Sequence, residues 1–146
     1  SVYTGNDDNI VMDLITPYEI RRENTTVTLR TVGGLLGHWA IWVKGAVEVL
    51  TKCKKGILDE SLLALHGNVT DCNAAIFDVA NNFKGCISGV HEILRRQGLF
   101  EGIWCLNPNE TLSPGQMAEI DRVYRDYPEL NDDAFVMKNL DRWLST

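Results

Sequence analysis

The sequence predicts an α/β chain that is mainly helical, with its few strands gathered at the front. Three observations predict this. Before residue 38 the chain carries short runs rich in Thr and Val, separated by turn formers. Beyond that point apolar residues recur at helical spacing almost to the end. The later segments are punctuated by helix start and stop signals, the clearest being Ser113-Pro114-Gly115-Gln116.

Val2-Tyr3-Thr4 reads as a short strand running into Gly5-Asn6-Asp7-Asp8, a turn of residues that tolerate tight backbone geometry. Tyr18 to Arg22 and residues 26–32 flank Glu23-Asn24-Thr25 and predict a hairpin, polar enough on its faces to stand in solvent. Residues 32–37, Val-Gly-Gly-Leu-Leu-Gly, predict a buried strand. Glycines there mark close approach either by another backbone or by a ligand.

Trp39, Val43, Ala46, Leu50 and Cys53 form one apolar helical stripe, closed by Gly56. A short helix over 59–66 and a second over 71–83 are expected next, the latter carrying Cys72, Ile76, Val79, Ala80 and Phe83. Cys86, Val90, Ile93 and Leu94 define another, ending at Gly98 with Arg95 and Arg96 where cations suit the helix dipole. Residues 102–109 read as an extended crossing. Ser113 is then the expected N-cap, Pro114 the first helical residue and Gln116 the return half of a capping box, with Leu112 and Met117 as the hydrophobic staple. That helix should stop before Pro128, and Asn131 should cap a last one bearing Phe135, Leu140, Trp143 and Leu144.

The bulk numbers exclude several classes. A chain of 146 residues with 45% hydrophobic content can bury a core of its own. Its net charge of −6 argues against nucleic acid, which needs a basic face, and gives no attraction to an anionic membrane. No apolar run reaches the roughly 20 residues of a membrane span, because Lys44 interrupts the longest, at 40–49. No signal-peptide pattern is visible, and the three Asn-x-Ser/Thr sequons at Asn24, Asn68 and Asn109 carry little weight without one. Cys53, Cys72, Cys86 and Cys105 are widely spaced with no CxxC pair, and read as reduced core residues of a cytoplasmic protein. No His/Cys/carboxylate cluster has metal-site spacing, and neither a metal nor a cofactor is expected.

Several stretches, taken in order, resemble the dihydrodipicolinate synthase and N-acetylneuraminate lyase family of class I pyruvate-dependent aldolases. Residues 3–8 are similar to the end of that family's seventh barrel strand, and Gly33-Gly34-Leu35-Leu36-Gly37 to its eighth. The helix from Trp39 would be the eighth barrel helix, and the following segments, including Val90-His91-Glu92-Ile93-Leu94-Arg95-Arg96-Gln97-Gly98-Leu99, resemble the C-terminal helical extension. The resemblance implies the last two strands of a TIM (β/α)8 barrel, with an inserted hairpin and the final barrel helix, over 1–56, and the helical extension over 57–146. Two departures stand out: the hairpin insertion itself, and a last helix that runs past the family's usual end.

What the resemblance implies for chemistry is a lyase that forms a Schiff base between a lysine amine and pyruvate or another 2-keto acid. The lysine and the tyrosine acid/base of the family align before Ser1, so no catalytic residue is expected here, and this chain alone is expected to be inactive. Lys44, Lys52, Lys54, Lys55, Lys84 and Lys138 fall on helices or their ends, where a solvated charge is the natural reading. A wall of the substrate pocket is what remains, since barrel sites gather at the C-terminal ends of strands. Its candidate residues are Gly5, Asp7 and Asp8 after one strand and Leu36, Gly37 and His38 after the other. Asp7 and Asp8 suit either the hydroxyls of a sugar-like substrate or a turn; His38, beside Trp39, suits either packing or the pocket. His66 and His91 read as surface residues.

Two barrel strands cannot close a barrel, and an open apolar edge invites pairing. The expected states are therefore a fragment, a partner of a chain carrying the N-terminal barrel part, or a rearranged, self-associated helical form, with a homo-oligomer among the outcomes. The alternative function is a non-catalytic helical module that keeps the family's tail for assembly.

Overall fold

The computed structural model describes residues 2–35 and 37–145, with the backbone alone at His38. The architecture is α/β and mostly helical. Strand β1 (Val2–Thr4) leads into helix α1 (Ile10–Ile15), followed by β2 (Tyr18–Arg22), β3 (Thr25–Leu29) and β4 (Thr31–Gly34). A 3-10 turn at Gly37–Trp39 precedes α2 (Val43–Lys54) and α3 (Glu60–Ile76); a second, at Val79–Asn81, precedes α4 (Cys86–Arg96), α5 (Gln116–Asp126) and α6 (Asp133–Leu144). No described helix is long and apolar enough to cross a membrane.

The strands make two separate pairs. β1 lies parallel to β4, with Val2 opposite Thr31 and Thr4 opposite Gly34, and an irregularity between them. β2 and β3 form an antiparallel hairpin from Tyr18 opposite Leu29 to Arg22 opposite Thr25. All ten hairpin residues are exposed, as the polar faces predict. The hairpin nevertheless ends at Leu29 rather than Val32: Thr31 and Val32 cross into the other sheet, where the Thr31 hydroxyl donates to the Asp13 carbonyl at 2.6 Å.

Helix α1 is absent from the sequence reading. Ile10, Val11 and Leu14 fall on one face of its short length and are buried, so α1 packs between β4 and helices α2 and α3. These residues belong to one apolar cluster with Trp42, Val49 and Cys53 before Gly56 and Leu62, Val69, Cys72, Ile76, Ile93, Ile120 and Val123 after it.

Four local expectations are corrected. The two helices expected over 59–66 and 71–83 are one, α3, because Leu62, Val69, Cys72 and Ile76 keep a single buried stripe through Gly67. A mid-helix glycine costs only about 1 kcal/mol, less than a new nucleus and cap. The helix ends at Ile76, short of Phe83, because Asp78 turns left-handed at φ 62° and Asn82 and Phe83 follow at 54° and 62°. Trp39 is not part of α2: Trp42, buried and left-handed at φ 48°, breaks the chain between the 3-10 turn and Val43. Finally, the cap of α5 is Gly115, at φ 86°, rather than Ser113. The Ser113 hydroxyl is drawn instead to Asp78 Oδ2 at 2.5 Å, while the reciprocal half of the capping box survives, with Ser113 N donating to Gln116 Oε1 at 2.9 Å.

Side-chain bonds lock the helices together. Asp132 accepts from Lys44 N at the start of α2 and from Gln97 Nε2 beyond α4. Arg122 on α5 forks onto Asp71 of α3 at 2.7 and 2.8 Å, and Tyr127 donates to the same carboxylate. Gln116, buried, donates to the carbonyls of Ile76 and Gly85.

Candidate functional site at the strand ends

The site builds from the end of β1. Thr4 is buried, and its hydroxyl donates to Asp13 Oδ2 at 2.5 Å while accepting from Asn6 N at 3.1 Å. Asn6 Oδ1 in turn accepts from Asp8 N, closing the turn that sequence chemistry predicts. Helix α3 then holds this turn from outside: Asn73 Nδ2 donates to the Asp7 carbonyl at 3.0 Å and the Thr70 hydroxyl to the Asp8 carbonyl at 3.1 Å. With its backbone held on both sides, the Asp7 side chain has a fixed origin.

That side chain lies against Gly37. A methyl group added at Gly37 would sit 2.0 Å from Asp7 Oδ1, and Gly37 itself is left-handed at φ 57°. Glycine is required there both for backbone conformation and for space. Asp7 Oδ1 is buried and has no hydrogen-bond donor among the described residues. Burial, with the neighbouring Asp8 charge, pushes the Asp7 carboxyl above its ordinary range. Trp39 folds its indole over Gly34, where an added methyl would meet the ring nitrogen at 1.8 Å, so the end of β4 is covered on that side.

Of the residues expected from sequence, the structure brings Asp7 and Gly37 into contact at the carboxyl ends of two parallel neighbours. Gly37 reaches this position from the 3-10 turn, because the strand stops at Gly34. Asp8 is exposed in the turn, and Gly5, also exposed, faces a different cavity. Leu36 lies outside the described residues, as does the His38 side chain.

The cavity beside Gly5 has a volume of about 360 Å³, and Thr4, Asp13, Tyr18, Arg30 and Thr31 supply its polar lining. Sequence reasoning missed these five, since their convergence depends on α1. Asp13 is the hub, accepting from Thr4, from the Tyr18 hydroxyl at 2.8 Å and from Asn9 Nδ2 at 2.9 Å. Burial works against its charge, but the three donors prevail and hold its carboxyl below the usual range. Asp13 is thus a satisfied organiser, whereas Asp7 Oδ1 has no donor among the described residues. Apolar residues at 10, 11 and 14 were the available signal for α1, and with it for placing Asp13 beneath Thr4.

All six lysines are exposed. Lys44 pairs with Glu48 and lies over the Phe135 ring, and Lys52 donates to the Ser61 hydroxyl. None has the burial that an imine-forming lysine requires. His66 and His91 are half-buried rather than on the surface; His91 packs its ring on Phe100. The arrangement can therefore accept a hydrogen bond at Asp7, and it contains no buried amine. No family model, curated protein or solved structure matches the chain.

Proposed function

We propose that this segment contributes one wall of the pocket of a Schiff-base-forming aldolase or lyase acting on pyruvate or another 2-keto acid, as the last two strands and helical tail of a (β/α)8 barrel. One observation carries the reading: β1 and β4 are parallel neighbours, and Asp7 and Gly37 meet at their carboxyl ends. Consecutive barrel strands require parallel pairing, and barrel pockets form at that end. Further support comes from Val2, Tyr3 and Val32, apolar strand residues with more than a third of their surface exposed on a two-stranded sheet, which further strands would cover. In this reading the imine chemistry belongs to a lysine outside these 146 residues, and Asp7 accepts a hydroxyl of the substrate.

The test uses the polypeptide from the complete reading frame that contains this sequence. Borohydride reduction in the presence of pyruvate, followed by peptide mass mapping, should trap an adduct on a lysine other than the six in this chain. An adduct on Lys44, Lys52, Lys54, Lys55, Lys84 or Lys138, or no adduct with any 2-keto acid offered, would overturn the proposal.

A second reading, a helical assembly module, is favoured by an apolar cavity of about 500 Å³ between α2 and α6, at whose rim Val43, Val47, Phe135 and Trp143 are exposed. Light scattering decides its main consequence. A monomer at micromolar concentration would argue against it.

A further inference from the structure

Three of the four thiols are withdrawn from chemistry by their surroundings. Cys53 and Cys72 are buried in the core, and burial pushes the Cys72 thiol up to about 12. Burial together with the carboxylates of Asp7, Asp78 and Glu110 also raises Cys86. Each of these sulfurs is held as the inert thiol.

Cys105 has different neighbours. It sits half-buried in the loop between α4 and α5, with Sγ 3.6 Å from the Ser88 hydroxyl and 3.9 Å from His91 Nδ1. Ser88 and His91 are three residues apart on α4 and therefore present to the loop on one face. The His91 ring is braced by Phe100, with centroids 5.1 Å apart, and Ser88 is 1% exposed. The Ile103 carbonyl, 3.6 Å from Sγ, fixes the sulfur from the loop side. A thiol, an adjacent imidazole and a buried hydroxyl form a nucleophile–base pair with an orienting neighbour. Trp104 and Leu106, on either side of Cys105 in the chain, are exposed, so the loop carrying the sulfur faces solvent.

We propose that Cys105, with His91 as its proton acceptor, is a nucleophilic thiol site that exchanges with small-molecule disulfides. His91 Nδ1 takes the S–H proton, and Cys105 Sγ attacks one sulfur of the disulfide. A new S–S bond forms as the old one breaks, and the His91 proton passes to the departing thiolate, which leaves as a thiol. The Cys105 sulfur is oxidised and the departing sulfur is reduced, so no further reactant is needed. This site is independent of the aldolase reading and uses none of the strand-end residues.

The test exposes the chain to the neutral disulfide of mercaptoethanol at neutral pH and follows intact mass and peptide maps with time. The first adduct should appear on Cys105, about tenfold or more ahead of the other three cysteines. His91→Ala should slow that reaction about tenfold or more, and free imidazole should restore part of the rate. A first adduct on Cys53, Cys72 or Cys86 overturns the proposal, as does a His91→Ala chain that reacts at the unaltered rate or ignores imidazole. The ranking of the four thiols is read on the unaltered chain, so it decides the matter even where the variant folds poorly.

Discussion

Replacing Gly37 with alanine perturbs the strand-end site at its tightest point. The residue holds φ 57°, where an L side chain costs roughly 1–2 kcal/mol. The new methyl would also stand 2.0 Å from Asp7 Oδ1, so the carboxylate must leave its place against Gly37. Overpacking of this kind adds about 1 kcal/mol or more, giving roughly 2–3 kcal/mol in total. With a urea dependence of about 2 kcal/mol per molar, the unfolding midpoint should fall by about 1 M, read by circular dichroism. The two terms separate in an Asp7→Ala background, where the steric part vanishes and the backbone part stays. The coupling between the two substitutions should be about 1 kcal/mol. A Gly37→Ala midpoint within about 0.5 kcal/mol of the unaltered chain, or strict additivity with Asp7→Ala, would refute the contact between the two strand ends.

Three more outcomes follow from the same geometry. Asp7→Asn should raise the melting temperature at neutral pH: the folded carboxyl titrates above its unfolded value, so the unaltered chain loses stability as pH rises through it, and the two chains should converge in acid. Glu92→Gln should behave oppositely. The Arg95 guanidinium, bonded at 2.7 Å, outweighs burial and with Arg96 holds the Glu92 carboxyl low. Its stabilisation is present above the unfolded carboxylate value and lost as pH falls through the folded one. The variant should therefore be about 2 kcal/mol less stable at neutral pH in urea titrations, with the gap closing in acid. Gly67→Ala should stabilise by about 0.5–1 kcal/mol, because nothing lies within 4 Å of the added methyl and the residue is inside α3; no gain would mean that the helix is broken there.

Local chemistry made much of this legible beforehand. The Asn-Asp turn after β1, the exposed hairpin, the stripe of Cys86, Val90 and Ile93 on α4, and the stop before Pro128 all depend on residues within a few positions of one another. Asp7 and Gly37 were legible as strand-end residues for the same reason. Errors fell where a distant partner outbid a local signal. Ser113 is a good cap by its own sequence, but Asp78 lies 35 positions away and takes its hydroxyl. Gly67 looks like a break until the buried stripe on either side of it is packed against α5 and α1.

What the sequence by itself determined is the alternation of strand-formers, turn-formers and helical stripes, because these arise from backbone preference and periodicity. Tertiary structure alone decided that β1, ending at Thr4, pairs with β4, beginning at Thr31, that Asp13 gathers Thr4, Asn9 and Tyr18, and that Cys105 meets His91 and Ser88. Such meetings are set by which apolar faces bury together, and burial is a property of the whole packed chain. Asp7 Oδ1 is the clearest case: the residue was visible in the sequence, but that no described residue donates to its buried oxygen became visible only in the packed structure.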